Sequence, residues 1–190
     1  TEGGKLTFDG VTVRAIPSDS AVSYYQPFIM ATGNATMDAQ NSTFTNLGWD
    51  WNASYGVSWV EGSTGTVTDS TFSSNFIGAY TSRATGMTFR DSIFRDNSLY
   101  GLDPHTYISS LTIDHVTADG NHAHGIIFSD HVTNSSITNS TSRDNGENGI
   151  MMDEYSTSNR ITGNTVTGNT GDGLVTATSG TNTFTSNTVS

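Results

Sequence analysis

Cysteine is absent from this 190-residue chain, which excludes a disulfide framework and any thiolate metal site. Positive charge is nearly as scarce. Lys5 is the sole lysine, and seven Lys and Arg residues face eighteen Asp and Glu, for a net charge of −11. That balance repels nucleic acid and anionic membrane surfaces, so neither is expected as a partner. No apolar run approaches the ~18 residues of a membrane span. The chain has no signal peptide and no initiator Met, which fits a mature or trimmed protein. Together these absences suit a secreted protein, extracellular or periplasmic. Nothing in the sequence specifies an oligomeric state.

What the chain does have is Thr, Ser, Asn, Gly and Asp in abundance, with charged residues at only 13%. Such a composition is compatible with disorder, but the apolar residues recur at fixed spacing, which disorder does not require. The chain is also long enough for one domain with a substantial core.

The recurring unit is an apolar residue, a second five positions later, Asn three positions on, then Gly. The apolar pairs are Val67/Phe72, Phe89/Phe94, Ile113/Ala118, Ile137/Ser142, Ile161/Val166 and Phe184/Val189, two of them with a small second member. Asn75, Asn97, Asn121, Asn145 and Asn169 follow, then Gly78, Gly101, Gly125, Gly149 and Gly173, spaced 23, 24, 24 and 24 residues apart. Phe8/Val13 and Ala39/Phe44 read as the same rung stretched by insertions. Segments this short and this rich in Thr and Val favour strands over helices, and a period near 24 marks a solenoid. The expected fold is all-β: a right-handed parallel β-helix in one domain over residues 1–190, irregular in 1–65 and regular in 66–190. Each Asn should sit at an inward turn, its amide bonded to backbone and to the Asn of the next coil. Solenoids need protected ends, and neither end shows a capping helix. The chain is therefore expected to belong to a longer protein, to associate, or to cap itself with its first sixty residues.

One coil departs from the repeat. Tyr100-Gly101-Leu102-Asp103-Pro104-His105 sets an acid, a Pro and a His where other coils have packing residues. Strand alternation turns Leu102 and Pro104 inward, with Ile126/Phe128 and Ile150/Met152 after them, and turns Asp103 and His105 outward, ~7 Å apart on the solvent face. Tyr100 lies at the turn entering the strand, with His124, Asn148 and Asp172 stacked after it. Ser129, Asp130, His131, Asp153 and Glu154 extend this polar surface, which makes a groove for an extended polymer. Asp before Pro is also a common turn device, and an exposed His is commonly just solvated. His115, His122, His124 and His131 lack convincing metal spacing. Should the protein use a cation, the Asp-rich turns favour Ca²⁺; the sequence requires no cofactor. The aromatic insertion Trp49-Asp50-Trp51, with Tyr55 and Trp59, can stack on sugar faces or brace irregular coils.

The motif Tyr100–His105, followed by His124-Gly125-Ile126-Ile127-Phe128-Ser129, resembles the mannuronan C-5-epimerases, alginate-modifying enzymes with a right-handed β-helix. The likeness covers roughly residues 86–175. It implies that Tyr100 and His105 are the acid/base pair, that Asp103 belongs to the site, and that a nearby cation neutralises the uronate carboxylate. Here the chain departs from the family: Asp130 stands where one branch has Arg, and Glu147-Asn148 where another has Arg-His. Arg83 is the preferred substitute, ahead of Arg90 and Arg95, with His124, Ser129, Asp130 and Asp153 as further substrate contacts. The chemistry explains the need. The C5 proton of a uronate is hardly acidic until a cation, or protonation of the carboxylate, stabilises the enolate-like intermediate. One group then removes the proton and another returns one to the opposite face. If the intermediate expels the 4-linked sugar instead, the same site is a lyase. A glycoside hydrolase using Asp103 with Asp130 or Asp153, and a non-catalytic glycan-binding solenoid, are the readings from other classes.

Overall fold

The computed structural model of the chain describes residues 3–16 and 26–190. The opening coils expected over residues 1–65 therefore lie partly outside the described residues. Among those described, all regular structure is strand, and every strand pairing is parallel. Three sheets run the length of a solenoid. The first has eight strands from Lys5–Asp9 to Thr183–Thr185, and the second has eight from Thr12–Arg14 to Thr188–Val189. The third has seven: β1 (Ile29–Ala31), β2 (Val57–Val60), β3 (Ala79–Ser82), β4 (Leu102–Pro104), β5 (Ile126–Phe128), β6 (Ile150–Met152) and β7 (Leu174–Thr176).

The rungs align as the spacing predicts. Phe8, Ala39, Val67, Phe89, Ile113, Ile137, Ile161 and Phe184 are paired coil to coil in the first sheet. Val13, Phe44, Phe72, Phe94, Ala118, Ser142, Val166 and Val189 do the same in the second. Like residues then stack at the ~4.8 Å spacing of paired strands. Phe44, Phe72 and Phe94 form a column of parallel rings 4.9 Å apart. The small Ser142 has its own reason: its buried hydroxyl donates to the Gly149 carbonyl at 2.7 Å.

The Asn column closes the turn before the third sheet. Asn97 Nδ2 donates to Asn121 Oδ1 (2.8 Å), and Asn121 Nδ2 donates to Asn145 Oδ1 (2.9 Å). Each backbone N–H in the column also finds the next side-chain oxygen. Buried amides are thereby satisfied inside an apolar core. The Gly after each Asn is required by close approach. A Cβ on Gly101 would lie 2.5 Å from the Gly125 carbonyl oxygen and 2.8 Å from Asn121 Nδ2. Two further columns of Ser and Asn, Ser42–Ser70–Ser92 and Ser135–Asn159–Asn182, serve the other turns in the same way.

Candidate active site

The residues singled out in the sequence gather on the third sheet. Its inner face is core: Leu102, Ile126, Phe128, Ile150 and Met152 are all buried in the main cluster. Its outer face is polar and aromatic, and three columns of side chains run along it.

The central column holds Asp103 on β4, register-paired with Tyr80 on β3. The sequence reading sets Asp103 in solvent, and the structure corrects this. Asp103 is on the outer face but only 1% exposed, hemmed in by neighbours on adjacent coils, Tyr80 (8%) and Ile127 (4%). Its Oδ1 accepts a hydrogen bond from the Ser129 hydroxyl at 2.8 Å. Burial pushes the Asp103 carboxyl up to about 6, against the pull of His105 and the Ser129 bond. The two neighbouring phenols respond. Tyr80 is pushed up to about 12, first by burial and then by the Asp103 charge. Tyr100 is raised by burial, then by Asp103, Glu147 and Asp153.

The entry column is Tyr100, His124, Asn148 and Asp172, as expected from spacing. The His124 ring lies flat on the Tyr100 ring, centroids 5.2 Å apart and planes 5° apart. His124 Nδ1 accepts the Asn148 backbone N–H at 3.2 Å, and Nε2 lies 3.2 Å from the Glu147 carboxylate. An Nδ1 that accepts leaves the proton on Nε2, and burial lowers the His124 pKa despite Glu147 and Asp153. This imidazole is therefore held neutral and in one orientation.

The exit column begins with a bulge. His105 N–H bonds the Thr81 carbonyl at 2.8 Å, while Arg83 N–H bonds the Thr106 carbonyl at 2.7 Å. His105 and Thr106 together thus face the single Ser82, one extra residue relative to β3. Such bulges bend a strand and re-aim its side chains. His105 Nδ1 meets the Thr106 hydroxyl at 2.7 Å, and its ring lies 5.6 Å from that of Tyr80. Beyond the bulge, Glu61, Arg83, Tyr107, His131 and Tyr155 occupy equivalent turn positions with φ of 52°, 51°, 53°, 54° and 62°.

The remaining expected residues have definite places. Arg83 pairs with Glu61 at 3.0 Å. Arg90 and Arg95 belong to strands of the first and second sheets, as do Lys5, Arg14, Arg143 and Arg160. Among the described residues, Arg83, next to β3, is thus the one Lys or Arg bordering the third sheet. Asp130 turns to His131, whose Nδ1 it contacts, and Asp153 Oδ1 accepts the Glu154 N–H at 2.8 Å. Ser129 faces Asp103 instead of open solvent. Trp59 is fully buried, its indole N–H bonded to the Met37 carbonyl at 2.9 Å, so it braces the core. Tyr55 instead packs edge-on to Tyr80 at 4.8 Å and reaches the site.

Sequence reasoning passes over Tyr80 and Glu61, and for Tyr55 it leaves open whether the ring stacks on sugar or braces the coils. Tyr80 stands two positions after Gly78, the same offset as Asp103 from Gly101, and that offset is the signal that finds it. Tyr55, Tyr80, Arg83 and Glu61 line a cleft of about 430 Å³ together with Asn52, Thr106 and their neighbours. Among the described residues, no group of three or more His, Asp or Glu side chains converges to hold a metal ion, and no helix is long and apolar enough to cross a membrane.

Residues 27–189 match the family model described as right handed beta helix region. The chain belongs to the right-handed β-helix family. It is 34% identical over 118 residues to a mannuronan C5-epimerase of Pseudomonas aeruginosa, covering 55% of this chain and 22% of that protein. It is 32% identical over 118 residues to the mannuronan C5-epimerase of Pseudomonas fluorescens, with the same coverage. The crystal structure of the periplasmic alginate epimerase AlgG superposes with a TM-score of 0.92 at 26% identity, over 97% of this chain and 48% of that one. The matched part of this β-helix chain thus spans about a fifth of these relatives, and the chain spans about half of the AlgG structure.

Proposed function

We propose that this chain carries the catalytic surface of an alginate-modifying enzyme that epimerises mannuronate to guluronate at C5. The observation that carries the reading is the arrangement of Tyr100, Asp103 and His105 about one outward strand face, in coils that superpose on an alginate epimerase over nearly their whole length.

A uronate bound across β4 meets His105 from the exit end and Tyr100 from the entry end. One of the two removes the C5 proton, and the other returns a proton to the opposite face of the ring. The charge that develops on the carboxylate needs a cation, and Arg83 supplies it from the preceding coil. Asp103, buried under this face and within electrostatic reach of His105, sets a carboxyl group beside the reacting pair, and the Thr106 hydroxyl holds the imidazole through Nδ1. Ser129 acts through Asp103. His124, Asp130 and Asp153 continue the surface along the axis for neighbouring sugars of the polymer. A polysaccharide of this kind is met outside the cytoplasm, in the periplasm or beyond.

The reading is tested by incubating polymannuronate with the protein, with and without Ca²⁺, and following guluronate signals by proton NMR and unsaturated ends by ultraviolet absorbance. New guluronate without absorbance is expected. Growth of the absorbance of a conjugated uronate would reassign the site to β-elimination through the same intermediate.

A further inference from the structure

The cleft beside Arg83 holds a second carboxylate that the proposed reaction does not use. Glu61 and Arg83 sit at the same turn of successive coils, and both backbones are pinned. Glu61 N–H bonds the Ser82 carbonyl at 3.0 Å, Gly62 N–H bonds the Arg83 carbonyl at 2.7 Å, and Arg83 N–H bonds the Thr106 carbonyl at 2.7 Å. The heads of the two side chains are in contrast open, 57% and 54% exposed. They share one hydrogen bond, Arg83 Nη1 to Glu61 Oε1 at 3.0 Å. A guanidinium has five N–H donors, so this contact leaves most of its capacity for another acceptor.

We infer that the cleft is a subsite for a carboxylate sugar, and that Glu61 is its internal competitor: a uronate entering the cleft takes over the Arg83 guanidinium, and Glu61 turns out to solvent. The inference rests on the polyuronate reading above and adds a specificity-determining residue to it. Three observations carry it. The cleft, about 430 Å³, falls within the ~300–1,000 Å³ of small-ligand sites. Its wall includes the Tyr55–Tyr80 pair, edge-on at 4.8 Å, against which a pyranose face can lie, and Tyr80 continues to His105 at 5.6 Å. Its cation is, among the described residues, the one Lys or Arg bordering this sheet, in a surface otherwise lined by Asp130, Glu147, Asp153 and Glu154.

The exchange asks little of the protein. An exposed ion pair is worth little in water, whereas a planar carboxylate against the guanidinium fork can bond in two places at once. Only side-chain torsions change, because the turn itself is fixed. A neutral sugar offers Arg83 only uncharged hydroxyl and ring oxygens, weaker acceptors than the Glu61 carboxylate, so the pair stays closed against it. The residue that opposes substrate entry thus also discriminates between substrates.

A double-mutant cycle on the whole chain tests this, with binding of a defined oligomannuronate read by calorimetry in the His105→Ala background, where turnover is slow relative to the titration. Glu61→Gln should tighten binding about three- to tenfold, and Arg83→Gln should weaken it about tenfold or more. The Glu61→Gln gain should vanish when Arg83 is already Gln. A neutral oligomannoside should respond to none of these changes. If Glu61→Gln leaves binding unchanged, or gains as much without Arg83, the competitor role is overturned; the second result would mean mere relief of long-range repulsion. Glu61→Ala, checked by thermal melting, guards against a fault peculiar to the amide. Binding that follows the cycle in a wild-type protein that exchanges no C5 hydrogen would uphold the subsite and overturn the epimerase reading alone. Absence of binding by every variant would overturn the subsite.

Discussion

Tyr100 and His124 lie face to face across adjacent coils, 5.2 Å apart with their planes within 5°. The imidazole is locked by the Asn148 N–H on one nitrogen and Glu147 on the other. A rigid neutral ring therefore fixes the plane of the phenol proposed to exchange a proton with substrate. His124→Phe keeps a flat ring there and is expected to retain turnover within about tenfold. His124→Ala removes the support and should lower kcat by about 10²-fold with the pH profile unchanged in shape. Steady-state kinetics over pH 5–9 make the comparison; equal losses in both variants would show that the imidazole itself, and not its stacking, is needed.

Asp103 gives a stability prediction of definite sign. Its carboxyl is raised from an ordinary 3.8 to about 6 by burial, so the folded chain binds its proton more tightly than the unfolded one. The favourable contribution is full below about pH 4 and is lost as pH rises through about 6. A rise of that size corresponds to about 3 kcal/mol of tighter proton binding in the folded state. Asp103→Asn should accordingly be more stable than the parent at pH 8, by up to about 3 kcal/mol, and no more stable at pH 3.5. Urea unfolding at the two pH values measures this, and turnover should fall even as stability rises.

His124 acts in the opposite direction. Its pKa is lowered by burial, so its contribution is present above the ordinary ~6.5 and is lost as pH falls. In His124→Phe that acid-side loss disappears. The melting temperature of this variant should therefore depend less on pH between 7 and 5 than that of the parent.

The Asn column supports the site from beneath. Asn121 accepts bonds from Asn97 and donates to Asn145 and the Phe94 carbonyl, all buried. Asn121→Ala leaves several of these groups unsatisfied and should destabilise the chain by about 2–4 kcal/mol. Gly101→Ala drives a methyl into the Gly125 carbonyl and the same Asn amide, and should be at least as damaging. Chemical unfolding checks both, and a change below about 1 kcal/mol in either would contradict the tight turn described here.

Much of the fold is legible in the sequence because a solenoid writes its contacts as a period. The rung from Phe8 to Phe184, the Asn amides and the inward positions of Leu102, Ile126 and Ile150 all follow from spacing and alternation. What alternation cannot supply is how closely neighbours on other coils cover an outward residue. Asp103 is buried because Tyr80 and Ile127 flank it on adjacent coils, and neither is near it in sequence. The bulge at His105 shows in the sequence as the lengthening of the Gly-to-Gly step from 23 to 24, but its position within the coil emerges only once hydrogen bonds are traced. Arg83 is readable as the nearest cation, but its partner Glu61 lies 22 residues earlier, in a coil where the Gly spacing gives no guide.

The central claim is that Tyr100 and His105 move protons on and off C5 of a uronate. Polymannuronate incubated in D₂O and followed by NMR reports this directly. The wild-type chain is expected to form guluronate carrying deuterium at C5, with His105→Ala and Tyr100→Phe each slower by about 10²-fold or more and still folded. Deuterium incorporation at near-normal rates in both variants, or none with the wild-type chain, would contradict it.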